Sequence, residues 1–291
     1  MAPPPAAPHV AALHVHPVKS LRGVAVAAAA VGDLGLALDR RWMLVDDAGV
    51  FLTQREDAGM TRLAVALVDR AGHATNEARD DLRVRVAAPD GATLDLDPPP
   101  ADAPRRRVRI WSHTVDACTY PPAVDGWFAA RLGRPCALVW MPDDVRRPID
   151  HASAGAADRA PFSDGFPALV VTEGSLADLN ARLARRGHPP VGMARFRPNV
   201  VVGGAEPYAE DGWATLDAGD VSLALVKPCG RCVVTTLDPH TGAGGVEPLR
   251  TLAEYRRAGT KVVFAQNALV RGGGTIRVGD RVSVTAAPPP A

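Results

Sequence analysis

The sequence predicts a β-rich α+β fold, in which a barrel-like first domain precedes a domain with a few helices. In the first hundred residues, short apolar runs such as Val10–Val15, Trp42–Val45 and Leu82–Val86 alternate with Gly, Asp and Pro turn signals. Because no long helical period interrupts these runs, they favour a small barrel or sandwich. The chain has 291 residues and is 47% hydrophobic, which is enough for two modest cores.

The second half mixes helical and strand patterns. Ser175 and Asp178 form an S-x-x-D capping pattern ahead of leucines at helical spacing, which predicts a helix opening at Ser175. The polar, Pro-containing segment 143–159 is typical of a mobile loop or a domain linker. Further helices are predicted over 124–132 and 248–257, and strands over 168–172, 199–202, 221–226, 233–237, 261–264 and 275–284.

Composition excludes several classes of function. A net charge of +1 gives no electrostatic case for a nucleic-acid or anionic-membrane partner. Four cysteines are too few for a disulfide scaffold in a chain of this length, and they suit a reducing compartment. The opening Met1–Pro5 lacks the features of a signal peptide, and no run approaches the ~18 apolar residues of a spanning helix. These features predict a cytoplasmic protein.

A C-x-x-C motif is the most informative stretch of the chain. Cys229 and Cys232 follow the apolar run Leu223–Val226 and precede a second strand-like run. A thiol at such a strand–turn–strand junction is held rigidly, and Arg231 beside it would favour the thiolate, which binds soft metals or attacks electrophiles. The spacing alone leaves two interpretations open: a reactive thiol, or a structural C-x-x-C of small core residues.

Seven stretches in order resemble the MOSC family. They are His16–Gly23, Leu38–Asp46, Phe162–Pro167, Glu173–Asn180, Phe196–Val200, Pro228–Pro239 and Ile276–Asp280. The resemblance is to the two-part members with an N-terminal MOSC β-barrel domain, among them the mitochondrial amidoxime-reducing component and bacterial reductases of N-hydroxylated compounds. It implies an N-terminal β-barrel domain over 9–125 and a MOSC β-barrel domain over 126–287.

The resemblance also implies a site for the molybdenum cofactor. In the family, the second cysteine of the motif, here Cys232, is the protein ligand of molybdenum. The residues implied to line the cofactor site are Lys19, Ser20, Arg40, Asp164, Gly165, Phe166, Arg197, Asn199, Gly230, Arg231 and Asn267. One departure from the family is Ala265, which stands where relatives often have glycine.

The chemistry of these residue types suits a phosphate-bearing pterin. Arg197 can bind a phosphate with two parallel hydrogen bonds, and Gly165 and Gly230 permit close approach of the backbone. Two of the positions also have purely structural interpretations. Arg40 could form a surface ion pair with a neighbouring aspartate, and Asn199 could cap a turn.

The function implied by the resemblance is reduction of N-hydroxylated small molecules such as amidoximes, hydroxylamines and N-hydroxylated bases. The chain has no iron–sulfur spacing, flavin motif or pyridoxal-phosphate domain of its own. Electrons are therefore expected from a separate electron-transfer protein and its reductase. Two alternatives are a sulfur relay with a persulfide on Cys232 and a non-catalytic carrier of the cofactor.

Overall fold

The computed structural model describes residues 7–287, which form a β-rich fold with three α-helices. The helices are α1 (Pro122–Leu132), α2 (Glu173–Arg185) and α3 (Leu249–Tyr255), with 3-10 helices at Ala58–Arg62, Met193–Phe196, Ala209–Gly212 and Val233–Thr236. The strands are β1 (His9–Val15), β2 (Val24–Val26), β3 (Ala28–Gly32), β4 (Gly35–Leu36), β5 (Trp42–Val45), β6 (Ala64–Val68), β7 (Ala74–Thr75), β8 (Glu77–Ala78), β9 (Arg83–Ala87), β10 (Thr93–Leu96), β11 (Arg105–Ile110), β12 (His113–Thr119), β13 (Ala137–Trp140), β14 (Ala168–Thr172), β15 (Val200–Gly203), β16 (Trp213–Ala218), β17 (Val221–Gly230), β18 (Arg257–Ala258), β19 (Lys261–Gly272), β20 (Gly274–Arg277) and β21 (Val282–Ala286). The predicted fold class is confirmed.

One nine-stranded sheet joins the beginning of the chain to its second half. Its strand order is β2-β1-β15-β14-β19-β17-β16-β21, with β18 paired to β19. The first strand, β1, runs antiparallel to β15, with Leu13 opposite Val200. Side chains on one face of this sheet, such as Leu13, Val200 and Leu223, are fully buried in the largest core cluster. Residues that are far apart in sequence therefore lie on strands of the same sheet.

Three four-stranded sheets complete the fold. Their strand orders are β10-β9-β6-β7, β11-β12-β13-β5 and β20-β3-β4, the last with β8 beside β3. In the last of these, Ile276 near the end of the chain lies opposite Ala29 near its beginning. Strand pairing crosses the predicted boundary in four places, β1 with β15, β3 with β20, β5 with β13 and β12 with β13. The boundary at residues 125 and 126 stays a prediction. The interpretation of Met1–Pro5 concerns residues that lie outside the described part of the chain.

The strand predicted over 233–237 is wrong. The preceding strand, β17, continues through the Pro-Cys-Gly sequence to Gly230, and a 3-10 helix follows over Val233–Thr236. In that turn, Thr235 Oγ1 donates to the Cys232 carbonyl at 3.0 Å and Thr236 Oγ1 donates to the Val233 carbonyl at 2.8 Å. These local bonds from threonine hydroxyls outweigh the β propensity of the Val-Val-Thr-Thr run.

Other boundaries also differ from the prediction: β19, predicted over 261–264, continues to Gly272, and two differences have a clear local cause. Helix α2 begins at Glu173, and Thr172 is its cap: the Thr172 Oγ1 atom accepts a hydrogen bond from the Ser175 N–H at 3.1 Å. Ser175 therefore lies inside the helix and does not open it. The strand predicted over 275–284 is divided into β20 and β21 by a turn at Gly279, whose φ of 92° is a conformation that glycine adopts readily.

Candidate functional site

The twelve residues that the family resemblance implies, Cys232 included, line one cleft between the two halves of the chain. They are Lys19, Ser20, Arg40, Asp164, Gly165, Phe166, Arg197, Asn199, Gly230, Arg231, Cys232 and Asn267. The cleft also includes Thr53, Gln54, Arg55, Ser163, Ala168, Leu169, Phe196, Cys229 and Val234. The space inside the cleft that a water-sized probe can reach is about 180 Å³, and the cleft opens to solvent.

Lys19 is held at the floor of the cleft by three contacts. Its backbone N–H donates to the Trp42 carbonyl at 2.8 Å, which fixes the loop after β1 against β5. Its ammonium group donates to the Phe162 carbonyl at 2.9 Å and to Asp164 Oδ1 at 2.6 Å. Burial lowers the pKa of Lys19 to about 8, although the Asp164 carboxylate partly opposes this effect. Lys19 is therefore a cation in a fixed position whose charge titrates near pH 8.

Asp164 joins two cations of the first domain. Its second oxygen accepts a hydrogen bond from Arg55 Nη2 at 2.9 Å. Burial alone would raise the pKa of Asp164, but the charges of Lys19 and Arg55 hold it well below its usual range. The backbone on either side is fixed by Arg147, which donates to the Ser163 carbonyl at 2.7 Å and to the Asp164 carbonyl at 3.0 Å. The segment 143–159 is irregular, as predicted, but Arg147 is 2% exposed and ties it to the cleft.

Arg40 and Asn199 lie in the cleft, and neither makes the structural contact that the sequence suggested: the ion pair of Arg40 is largely buried and not at the surface, and Asn199 bonds across strands and caps no turn. Arg40 Nη1 donates to Asp39 Oδ2 at 2.5 Å and to Asn199 Oδ1 at 3.1 Å, and Nη2 donates to the Arg197 carbonyl at 3.0 Å. The Asn199 amide donates in turn to the His14 carbonyl at 3.2 Å. Both residues line the cleft and also join strands from the two halves of the chain.

Arg197 adds a cation with no carboxylate partner among residues 7–287. It stands in the left-handed region with φ of 53°, directly after a 3-10 helix, and Nη1 donates to the Leu21 carbonyl at 2.7 Å. Burial, followed by the charge of Arg40, lowers the pKa of Arg197 to about 9. A crowded set of cations of this kind favours the binding of an anion.

The two cysteines have different arginine neighbours, which corrects the sequence-based interpretation. Arg231 Nη1 donates to Cys229 Sγ at 2.9 Å and Nη2 donates to the Phe196 carbonyl at 2.8 Å. The cation beside Cys232 is instead Arg55. Burial lowers the pKa of Arg55, but its interactions with Asp164 and Cys232 are stronger, so the pKa of Arg55 is raised overall. Both thiols are free and partly exposed.

The segment Thr53–Arg55 also lines the cleft, although its sequence did not indicate this. Gln54 Nε2 donates to the Ser20 carbonyl at 2.6 Å, and Thr53 Oγ1 accepts from Arg55 Nη1 at 3.2 Å. The only signal in the sequence was three polar residues directly after the apolar pair Phe51 and Leu52. The structure brings this segment to the same cleft as Lys19.

The residues present fit a phosphate-bearing cofactor that brings most of its own metal ligands. Ser163 Oγ and Arg231 Nε are buried at the cleft and have no hydrogen-bond partner within the described chain. At Gly165 an added Cβ would meet no atom within 4 Å, so its backbone lies open to a ligand. Between residues 7 and 287 no cluster of three His, Cys, Asp or Glu could cage a metal, so the thiols are the soft ligands offered here.

Comparison with known families agrees with this arrangement. The model described as the MOSC N-terminal beta barrel domain matches residues 7–135, and the model described as the MOSC domain matches residues 157–283. The chain therefore belongs to the MOSC family, in the form that has both domains. In the part of the chain that the structure describes, none of the helices is both long enough and apolar enough to span a membrane.

The similar proteins fall into two groups. Mitochondrial amidoxime-reducing component 1 of Homo sapiens is 33% identical over 290 residues, which cover 94% of this chain and 82% of that protein. The protein of the same name from Mus musculus is 32% identical, with 94% and 81% covered. Molybdenum cofactor sulfurase of Solanum lycopersicum is 30% identical over 92% of this chain but only 35% of that protein.

Proposed function

We propose that this protein is a molybdenum-cofactor-dependent reductase that removes oxygen from N-hydroxylated compounds, with Cys232 as the protein ligand of molybdenum. The observation that carries the proposal is the single cleft that gathers a free thiol, unpaired arginines and open backbone from distant parts of the chain. Similarity to mitochondrial amidoxime-reducing component 1 over 94% of the chain supports the reductive chemistry. Amidoximes, hydroxylamines and N-hydroxylated bases are the proposed substrates.

The side chains of the cleft have distinct roles in this proposal. Arg197, Lys19 and Ser20 bind the phosphate of the cofactor, and the open backbone at Gly165 would face its ring system. Gly230, where an added Cβ would lie 3.2 Å from the Lys261 side chain, is proposed as a further backbone contact. The bound cofactor supplies the two-electron chemistry by which oxygen is removed from nitrogen. The remaining proposed lining residues, Arg40, Asp164, Phe166, Asn199, Arg231 and Asn267, hold the cofactor in one orientation.

Arg55 has a role at the rim in this proposal. Its guanidinium lies beside both Asp164 and Cys232, so it keeps a positive charge next to the thiol. Arg55 is therefore proposed to hold Asp164 and Cys232 together at the rim of the cleft.

A separate electron-transfer protein and a reductase supply the electrons in this proposal, and the substrate is a small molecule. No nucleic-acid or membrane partner is proposed. The cytoplasmic location expected from composition stays a prediction, since the most similar relatives reported above are named as mitochondrial proteins.

The test compares two serine variants of the C-x-x-C motif. The protein is purified from a host that makes the cofactor, molybdenum per chain is measured, and reduction of benzamidoxime is followed with reduced viologen as the donor. Cys232→Ser removes the proposed metal ligand with little change in volume and is expected to abolish turnover. Cys229→Ser is the matched control and should keep substantial activity. The opposite result in the two variants would contradict the ligand assignment.

A sulfur relay is the second candidate, because the similar proteins include a molybdenum cofactor sulfurase. That function predicts a labile persulfide on Cys232 that cyanide releases as thiocyanate, and no reduction of benzamidoxime. A non-catalytic carrier would bind molybdenum and pterin at one per chain without turnover and without a persulfide. The same purified protein thus distinguishes all three functions.

A further inference from the structure

The tip of the β11–β12 hairpin holds a tryptophan in an unusual backbone conformation. Ile110 pairs with His113, so Trp111 and Ser112 form a two-residue loop. The φ angle of Trp111 is 53°, in the left-handed region. Glycine, asparagine and aspartate usually take such positions in short hairpin loops, and a bulky aromatic residue there is an outlier. Strain of this kind is concentrated at functional sites, so the ring itself requires an explanation.

Contacts place the indole of Trp111 at the rim of the cleft. Its ring lies 4.8 Å from the Phe51 ring, measured between centroids, and the Arg55 Cζ atom lies 4.8 Å from the indole centroid. Arg55 also donates to Asp164 at 2.9 Å. The indole is therefore separated from the cleft by the width of one guanidinium group, and Phe51 and Arg55 fix its orientation.

The rim differs in chemistry from the interior of the cleft. Trp111 is 43% exposed and Val233, directly after Cys232, is 46% exposed, so both offer apolar surface to solvent. Behind them the cleft is lined by Arg55, Asp164 and other polar groups. A small molecule with a polar head and a flat apolar body matches this arrangement: its head enters the cleft, and its body stays against the rim.

We propose that Trp111 selects N-hydroxylated substrates with a flat aromatic body by packing that body against its partly exposed indole. The inference rests on the proposed reductase function and adds a substrate preference to it. Aromatic rings attract each other in offset or edge-to-face arrangements beyond the effect of buried area. An aliphatic substrate of the same head group gains little from this contact.

The test uses variants that separate the ring from the backbone. Trp111→Gly removes the ring and suits a positive φ, so its melting temperature should equal or exceed that of the parent protein. Trp111→Phe keeps an aromatic ring. Trp127→Ala is the control, because Trp127 also stacks with an arginine, Arg131 at 4.2 Å, but lies on α1 and does not line the cleft.

Two measurements are made on the cofactor-loaded protein. Calorimetry without an electron donor gives the Kd of benzamidoxime and of acetamidoxime, and turnover with reduced viologen gives KM and kcat. In Trp111→Gly, the Kd and KM of benzamidoxime should rise about tenfold, while acetamidoxime and kcat change less than about twofold. Trp111→Phe should keep most of the preference, and Trp127→Ala should keep all of it.

Three outcomes would overturn the inference. One is an equal loss of affinity for both amidoximes, and another is no binding of benzamidoxime to the parent protein. The third is a loss of rate that occurs with a protein electron donor but not with viologen, since Trp111 would then bind that partner. Binding of benzamidoxime that depends on Trp111, without turnover by the parent protein, would keep the inference and refute the reductase function.

Discussion

The cleft receives cations from both halves of the chain, and the two halves supply them in different states. Each of the three cations from the first half is paired with a carboxylate. Lys19 lies 2.6 Å and Arg55 2.9 Å from oxygens of Asp164, and Arg40 lies 2.5 Å from Asp39. Two carboxylates offset two of these three charges, so these side chains fix the geometry of the cleft more than they raise its potential.

The cations from the second half have no carboxylate partner within the described residues. Arg197 donates to the Leu21 carbonyl, and Arg231 donates to the Phe196 carbonyl and to Cys229 Sγ. A largely buried charge without a counter-ion is costly, and a bound anion removes that cost. We therefore expect the second half of the chain to provide most of the affinity for an anion, and the first half to provide most of the rigidity of the cleft.

The largest expected effect tests whether the cations from the second half of the chain bind the anion. Arg197→Ala should lower cofactor affinity about tenfold to a hundredfold, because a charge-assisted hydrogen bond to a phosphate contributes about 1.5–3 kcal/mol. Molybdenum and pterin per chain, measured after extensive dialysis, would show the loss. The free energy of unfolding of the cofactor-free variant should fall little or rise, because an unpaired cation is removed. Normal cofactor content in the variant would contradict the division of roles.

The next effect concerns the first half. Lys19→Met should lower the free energy of unfolding by about 1–3 kcal/mol, since the Asp164 carboxylate and the Phe162 carbonyl lose the buried ammonium that donates to them. Cofactor retention should also fall, because Asp164 is left with Arg55 as its only paired cation. Urea denaturation gives the stability, and Arg79→Met, which breaks an exposed pair with Glu77, should change nothing measurable. An unchanged midpoint for Lys19→Met would remove the structural role.

The pH dependence of stability gives a second test of the role of Lys19. Burial lowers the pKa of Lys19 to about 8 in the folded protein, against 10.5 for an unperturbed lysine. The unfolded chain therefore holds this proton more tightly, so the contribution of Lys19 to stability rises with pH between about 8 and 10.5. Over the same range the affinity for an anion falls, since the ammonium loses its charge. The melting temperature of the parent protein, measured relative to Lys19→Met from pH 7 to 10, should rise with pH; a flat difference would contradict the lowered pKa.

The sequence predicted the membership of the cleft better than the contacts inside it. The family resemblance implied twelve residues that the structure brings into one cleft. A family motif preserves which residues are neighbours in three dimensions, and this information does not depend on local propensity. Adjacency in sequence gave the wrong partner for Arg231, whose guanidinium turns to Cys229. Arg55 was missed because no local pattern shows that its loop crosses to Cys232.

Secondary structure failed where a side chain bonds to nearby backbone. The β-branched run after Cys232 has strong strand propensity, yet Thr235 and Thr236 close a 3-10 turn through their hydroxyls. At α2, the cap is the last residue of the preceding strand, Thr172, and the capping pattern at Ser175 is internal. Propensity scales average over such contacts and cannot identify them.

The smallest expected effect tests how tightly the second half of the cleft is built. Ala265 lies in β19 between Phe264 and Gln266, is 1% exposed and has φ of 72°, in the left-handed region. A Cβ atom in this conformation costs about 1–2 kcal/mol, whereas glycine adopts it freely. Ala265→Gly relieves this strain, but it also loses one buried methyl group, which contributes about 0.8 kcal/mol.

The net change in Ala265→Gly is therefore expected to be a small gain, about 0.5 kcal/mol in the free energy of unfolding, with cofactor content unchanged. Ala265→Val is the contrasting variant, because a β-branched side chain tolerates a positive φ least, and it should lose more than about 2 kcal/mol. Urea denaturation of both variants gives the sign and the order. If the glycine variant were the less stable by more than about 1 kcal/mol, methyl packing would outweigh backbone strain at this position. In that case, close packing of the Ala265 methyl group would contribute more to the stability of β19 than the positive φ costs.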